Sequence, residues 1–89
     1  MDKQQLREQL ERLHAELAQV KTLDSTEAEM LQHLASDIRE LLEREENHPQ
    51  HYSGLGERLK EGVARLEASH PQATDRMRQA IDQLAYLGI

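Results

Sequence analysis

The chain has 89 residues, which is enough for one domain and not for two. It contains no Cys, Phe or Trp and only two Tyr, so disulfides and thiolate metal sites are excluded and the core must be largely aliphatic. The formal net charge is −6 and no basic stripe is visible, which argues against binding to a nucleic-acid backbone.

The first predicted element is a helix over residues 3–21. Apolar side chains recur in it at alternating steps of four and three residues, a period of about 3.5 that places them on one stripe. The members of this stripe are Leu6, Leu10, Leu13, Leu17 and Val20. It is the strongest periodic signal in the chain.

A second helix is predicted over residues 25–46. Asp24 followed by Glu27 matches a capping box, in which two side chains bond free backbone N–H groups at the start of a helix. The inner stripe of this helix consists of Leu31, Leu34, Ile38 and Leu41. The short link predicts an antiparallel hairpin with helix 1, about 30 Å long.

A break over residues 47–54, which contains Pro49 and Gly54, separates this hairpin from the rest of the chain. A third helix is predicted over residues 55–68. Gly62 lies on its inner face, which indicates either close approach of another backbone or a tolerated defect. Pro71 opens a fourth predicted helix over residues 71–87, and Gly88 fits a Schellman stop in the left-handed conformation.

Two segments of the carboxy-terminal half resemble a known family. They are Leu66-Glu67-Ala68-Ser69-His70-Pro71 and Leu84-Ala85-Tyr86-Leu87-Gly88-Ile89. With a Leu-rich first helix and an acidic second helix before them, the chain resembles domain-of-unknown-function family four-four-zero-four, a family of short bacterial proteins. The resemblance implies a bacterial source and an all-helical fold, and it implies no activity and no catalytic residue.

The predicted fold is all-α, with antiparallel helical hairpins forming a small four-helix bundle as a single domain over residues 1–89. The alternative keeps the last two helices as one element kinked at Pro71, which gives three helices. Because the first hairpin is the longer one, we expect part of its apolar stripe to stay uncovered in a monomer. The stripes of helices 1 and 2 are therefore the predicted interaction face, and they predict a homodimer.

Five histidines raise the question of a metal site. His48 and His51 lie close together in the break, with Glu45 and Glu46 just before them. This spacing is not one of the tight zinc signatures and no second ligand pair is evident, so a solvated polar loop is the favoured interpretation. Metal binding through these two histidines stays open as an alternative, and the sequence predicts no cofactor.

The acidic surplus falls within residues 23–47, which hold eight acidic residues against two arginines. The predicted acidic face of helix 2 consists of Glu29, Asp37, Glu40 and Glu43. Most faces of this kind keep a small protein soluble. A face of this charge also favours and steers a basic protein partner.

No motif for nucleophilic catalysis or phosphate binding is visible. The favoured function is therefore a non-enzymatic protein–protein interaction or assembly module that acts through amphipathic helix faces. Metal binding and regulation of a basic protein are the alternatives. The polar amino terminus shows no signal peptide, and the longest apolar run is far shorter than the roughly 18 residues of a membrane span, so we expect a cytoplasmic protein without membrane contact.

Overall fold

Four α-helices and one 3₁₀ turn make up the part of the chain that the computed structural model describes, residues 2–21 and 24–89. They are α1 (Asp2–Leu17), α2 (Ser25–Glu43), the 3₁₀ turn (Pro49–Tyr52), α3 (Leu55–Leu66) and α4 (Pro71–Leu87). The described residues form no strand, and the fold is the predicted small all-α bundle. The three-helix alternative is wrong, because a turn over residues 67–70 separates α3 from α4.

The helices form a ring in which each one packs against its neighbour in sequence and α4 closes the ring against α1. The start of α4 lies beside the end of α1, since Ala73 and Val20 line one cavity. At the other end of the bundle, Leu87 and Leu6 line a second cavity. Helices α1 and α4 are therefore antiparallel over their whole length, and the ring has up-down-up-down order.

The core of the bundle is almost entirely aliphatic. Its buried hydrophobic residues are Leu6, Leu10, Leu13, Leu17, Leu31, Leu34, Ile38, Leu41, Leu55, Leu59, Leu66, Ala73, Met77, Ala80 and Leu84. Small side chains at Ala73 and Ala80 let α4 lie close to α1 and α3. Helix α4 packs against these two helices more extensively than α2 does. The buried Thr74 hydroxyl donates to the Pro71 carbonyl at 3.0 Å, so this polar group in the core is satisfied.

Helix α1 ends at Leu17, one turn before the predicted residue 21. Beyond it, the N–H of Gln19 donates to Glu16 at 3.0 Å and the N–H of Val20 donates to Leu17 at 3.3 Å. These are tighter bonds of the 3₁₀ type, which continue the apolar line for a few residues without continuing the α-helix. The apolar period therefore predicts a longer helix than the backbone forms.

Helix α2 begins as predicted and ends early. The Asp24 carboxylate accepts a hydrogen bond from the Glu27 N–H at 2.8 Å, which confirms Asp24 as the cap. The helix ends at Glu43 instead of residue 46, because Arg44 is already extended with φ −76° and ψ 142°. Side chains satisfy two of the last carbonyls: Asn47 donates to the Leu41 oxygen at 2.7 Å, and Arg7 of α1 donates to the Leu42 oxygen.

Helix α3 ends at Leu66, two residues before the predicted end, where the His70 N–H donates to the Leu66 carbonyl at 2.7 Å. Helix α4 spans the predicted residues 71–87. Gly88 is left-handed with φ 76°, and Ile89 donates its N–H to the Leu84 carbonyl at 3.0 Å. The Schellman stop is therefore confirmed.

The inner face of α3 carries Gly62, which is buried against α4. The nearest group is the side chain of Met77, not a backbone. The predicted close approach of another backbone is therefore wrong, and Gly62 instead makes room for a side chain of α4.

Candidate functional site

The apolar stripes of α1 and α2, predicted as an interaction face, lie inside the bundle. Eight of their nine members are at most 7% exposed, and Val20 is half-buried. The expectation that the far end of this hairpin stays uncovered is wrong, since Leu17 is 7% and Leu31 is 6% exposed. The reason is that α4 has 17 residues against 16 in α1 and covers it from end to end. A homodimer stays a prediction, without support from these buried side chains.

The two loop histidines lie side by side, with ring centroids 5.6 Å apart and ring planes tilted by 46°. The Nδ1 atom of His51 accepts a hydrogen bond from the His48 backbone N–H at 2.9 Å, so the lone pair of this nitrogen is already engaged. Within residues 2–21 and 24–89, no group of three or more His, Asp or Glu side chains is arranged to hold a metal ion. The turn brings the two imidazoles together without adding a carboxylate to complete a site.

The local environment of His51 favours its neutral form. Partial burial lowers the pKa of His51 below its ordinary value, and the charges of Arg44 and His48 act in the same direction. A neutral imidazole is the form that can accept the hydrogen bond from His48. The electrostatics and the hydrogen bond of this turn are therefore consistent with each other.

Three of the four predicted acidic residues form an open line along the outside of α2. Glu29, Glu40 and Glu43 are exposed, with His33 and Ser36 between them on the same line. No cationic side chain of the described residues lies within ion-pair distance of these three carboxylates. We call Glu29, His33, Ser36, Glu40 and Glu43 the outer face of α2.

Asp37, the fourth predicted member, has a different environment. Its carboxylate pairs with the guanidinium of Arg58 on α3, and the Asp37 side chain is 33% exposed. Asp37 therefore links α2 to α3 and does not belong to the open acidic face, which corrects the prediction. The sequence could not indicate this, because the partner lies 21 residues away in the chain.

Sequence reasoning missed a small apolar cavity at the end of the bundle where α1 begins and α4 ends. Its volume is about 120 Å³, and its apolar and aromatic lining consists of Leu6, Pro49, Tyr52, Leu87 and Ile89. Burial raises the pKa of the Tyr52 hydroxyl, an effect partly offset by the Asn47 side chain. The only sequence signal for this cavity is the presence of one aromatic residue, Tyr52, in an otherwise polar break.

The geometry defines a small helical bundle protein with an aliphatic core and one acidic outer helix face. The family whose model matches the chain is Domain of unknown function (DUF4404), over residues 6–89, and the chain belongs to this family. The resemblance seen in the sequence is thereby confirmed. No curated protein and no solved structure matches the chain. None of the helices in the described ranges is long and apolar enough to cross a membrane.

Proposed function

We propose that the protein is a non-enzymatic interaction module that binds a basic segment of another protein through the outer face of α2. The observation that supports this proposal is the line of exposed carboxylates of Glu29, Glu40 and Glu43, which have no cationic partner among the described residues. The apolar side chains of the same helix are used in the core. The charged outer face is therefore the surface that α2 offers to a partner.

The acidic residues of α3 provide a contrast within the same molecule. Glu57 lies 3.8 Å from Lys60, and Glu61 lies 3.2 Å from Arg65, so each has a cation on its own helix. Such exposed pairs contribute little to stability, but they cancel the local field. Glu40 and Glu43, which lie three residues apart on one line of α2, form no such ion pair among the described residues.

The spacing on α2 defines the kind of partner. Glu40 and Glu43 lie within one helical turn of each other, well inside the Debye length of about 8 Å at physiological ionic strength. Glu29 lies eleven residues before Glu40, which corresponds to about 16 Å along the helix. A basic helix with two adjacent cations opposite Glu40 and Glu43, and a further cation three turns away, would match this arrangement.

A fluorescent Lys- and Arg-rich helical peptide is a suitable probe, with binding to the full chain followed by anisotropy at low and at physiological ionic strength. We expect Glu40→Gln with Glu43→Gln to weaken binding about three- to tenfold, since each lost exposed charge pair is worth about 0.2–1 kcal/mol. The matched control is Glu57→Gln with Glu61→Gln, which changes the net charge equally and should leave the affinity nearly unchanged. Equal losses for both double variants, or no binding of the peptide, would contradict the proposal.

A further inference from the structure

The turn over Pro49–Tyr52 contains a hydrogen bond to a histidine side chain, which can accept it only when the ring is neutral. His48 precedes the turn and donates its backbone N–H to Nδ1 of His51 at 2.9 Å. His51 thus occupies the position in which a Glu or Gln side chain closes a capping box. Two short-range backbone bonds complete the turn, from His51 to His48 at 2.9 Å and from Ser53 to Gln50 at 3.2 Å.

A proton and this hydrogen bond compete for the same nitrogen. In the imidazolium form both ring nitrogens carry a hydrogen, so Nδ1 becomes a donor that faces the donor N–H of His48. A Glu or Gln at this position would keep its acceptor oxygen throughout the range in which histidine titrates. A histidine at this position therefore loses its acceptor when the ring is protonated.

The charges near the turn act against a proton on His51. Arg44 at the end of α2 and His48 in the loop both disfavour a positive charge on the ring. Other charged side chains line the two cavities that flank the turn. They are Lys3 and Arg7 of α1, Glu45 and Glu46 after α2, and Glu57 of α3.

The turn covers apolar surface. Pro49 and Tyr52, its first and last residues, line the cavity of about 120 Å³ together with Leu6, Leu87 and Ile89. Tyr52 is half-buried and packs against the core cluster. Movement of this turn would expose apolar side chains at the end of the bundle where α1 begins and α4 ends.

We propose that His51 is a proton-sensitive latch: when neutral it holds the Pro49–Tyr52 turn over the apolar cavity, and when protonated it releases the turn. The latch closes as pH rises and opens as pH falls. Release of the turn exposes an apolar surface that the turn covers at neutral pH.

Nuclear magnetic resonance on the full chain tests this directly, with the His48 amide, the Tyr52 ring and the Leu87 methyl groups followed from about pH 7.5 to about pH 5. We expect all three to follow one titration whose midpoint lies below the ordinary value for histidine, with exchange of the His48 amide faster on the acidic side. His51→Gln keeps an acceptor without titrating, so the responses of Tyr52 and Leu87 should disappear. His33→Gln removes an exposed histidine of α2 and should leave them in place.

Two results would overturn the proposal. One is a His51 titration that leaves the Tyr52 and Leu87 signals unchanged. The other is persistence of their pH response in His51→Gln, which would assign the response to a different group.

Discussion

Gly62 of α3 faces the thioether of Met77 on α4. A Cβ atom built on Gly62 would lie 2.9 Å from the Met77 Sδ and 3.2 Å from its Cε, closer than side-chain carbon atoms pack in ordinary contact. Met77 is 0% exposed, so its side chain is enclosed by the core. A glycine within a helix costs about 1 kcal/mol relative to alanine, and here it makes room for the side chain that fills the space between α3 and α4.

Gly62→Ala should therefore destabilise the protein in spite of the better helix propensity of alanine. The gain of about 1 kcal/mol is opposed by an overpacking cost of about 1–3 kcal/mol, so we expect a net loss of about 1 kcal/mol in the free energy of unfolding. Urea denaturation measures it. In a Met77→Leu background the side chain is shorter and the loss should shrink, whereas an equal loss in both backgrounds would show that Met77 is not the obstacle.

The apolar residues of the core could be predicted from the sequence because their burial follows from local period. Leu13 and Leu34 belong to stripes that any helical chain must bury, and they are 0% and 1% exposed. The coverage of those stripes was wrongly predicted because it depends on how α4 lies along α1. Periodicity within one helix carries no information about that packing.

Prediction from the sequence is limited in the same way for the helix ends and the candidate sites. Asp24 caps a helix that starts one residue later, and the sequence shows this directly. One carbonyl at the end of α2 accepts a hydrogen bond from Arg7, which lies 35 residues earlier in the chain. The hydrogen bond of His51 requires a 3₁₀ turn that the sequence shows only as a break. Interactions between distant residues and unusual turns are the features that periodicity does not predict.

Leu17→Ala distinguishes a core position from an exposed interface. Because Leu17 is 7% exposed in the single chain, we expect a loss of about 2–4 kcal/mol of stability. For a domain of this size, each kcal/mol corresponds to about 4–8 °C in melting temperature, which calorimetry measures. The homodimer is tested with the unmodified chain: a melting temperature that rises with protein concentration would support it, and one that stays constant would count against it.

Asn47→Ala should weaken the end of α2. The Asn47 amide donates to the Leu41 carbonyl at 2.7 Å, and its loss leaves that oxygen without this donor, at a cost of about 1 kcal/mol. Urea denaturation should show a lower midpoint with an unchanged slope. Glu46→Ala is the adjacent control, since Glu46 is exposed and does not bond a helix carbonyl in the structure. A similar loss in both variants would mean that the hydrogen bond to Leu41 is not the cause.

The stability of the whole protein should decrease as pH falls through the range in which histidine titrates, and part of that decrease should originate at His51. Because the pKa of His51 is lowered in the folded chain, the unfolded chain binds a proton first as the solution is acidified. The stabilisation from neutral His51 is therefore fully present above the unfolded pKa and is lost as pH falls from there through the lower folded pKa.

Denaturation of the unmodified chain and of His51→Gln at a series of pH values isolates this contribution. The difference in unfolding free energy between the two proteins should change between about pH 7 and about pH 5. The unmodified chain should lose more stability than His51→Gln as the solution is acidified. His33→Gln should retain the behaviour of the unmodified chain. If the unmodified chain gained stability relative to His51→Gln on acidification, the folded state would favour the protonated ring, and the hydrogen bond from His48 would not be the interaction that closes the turn.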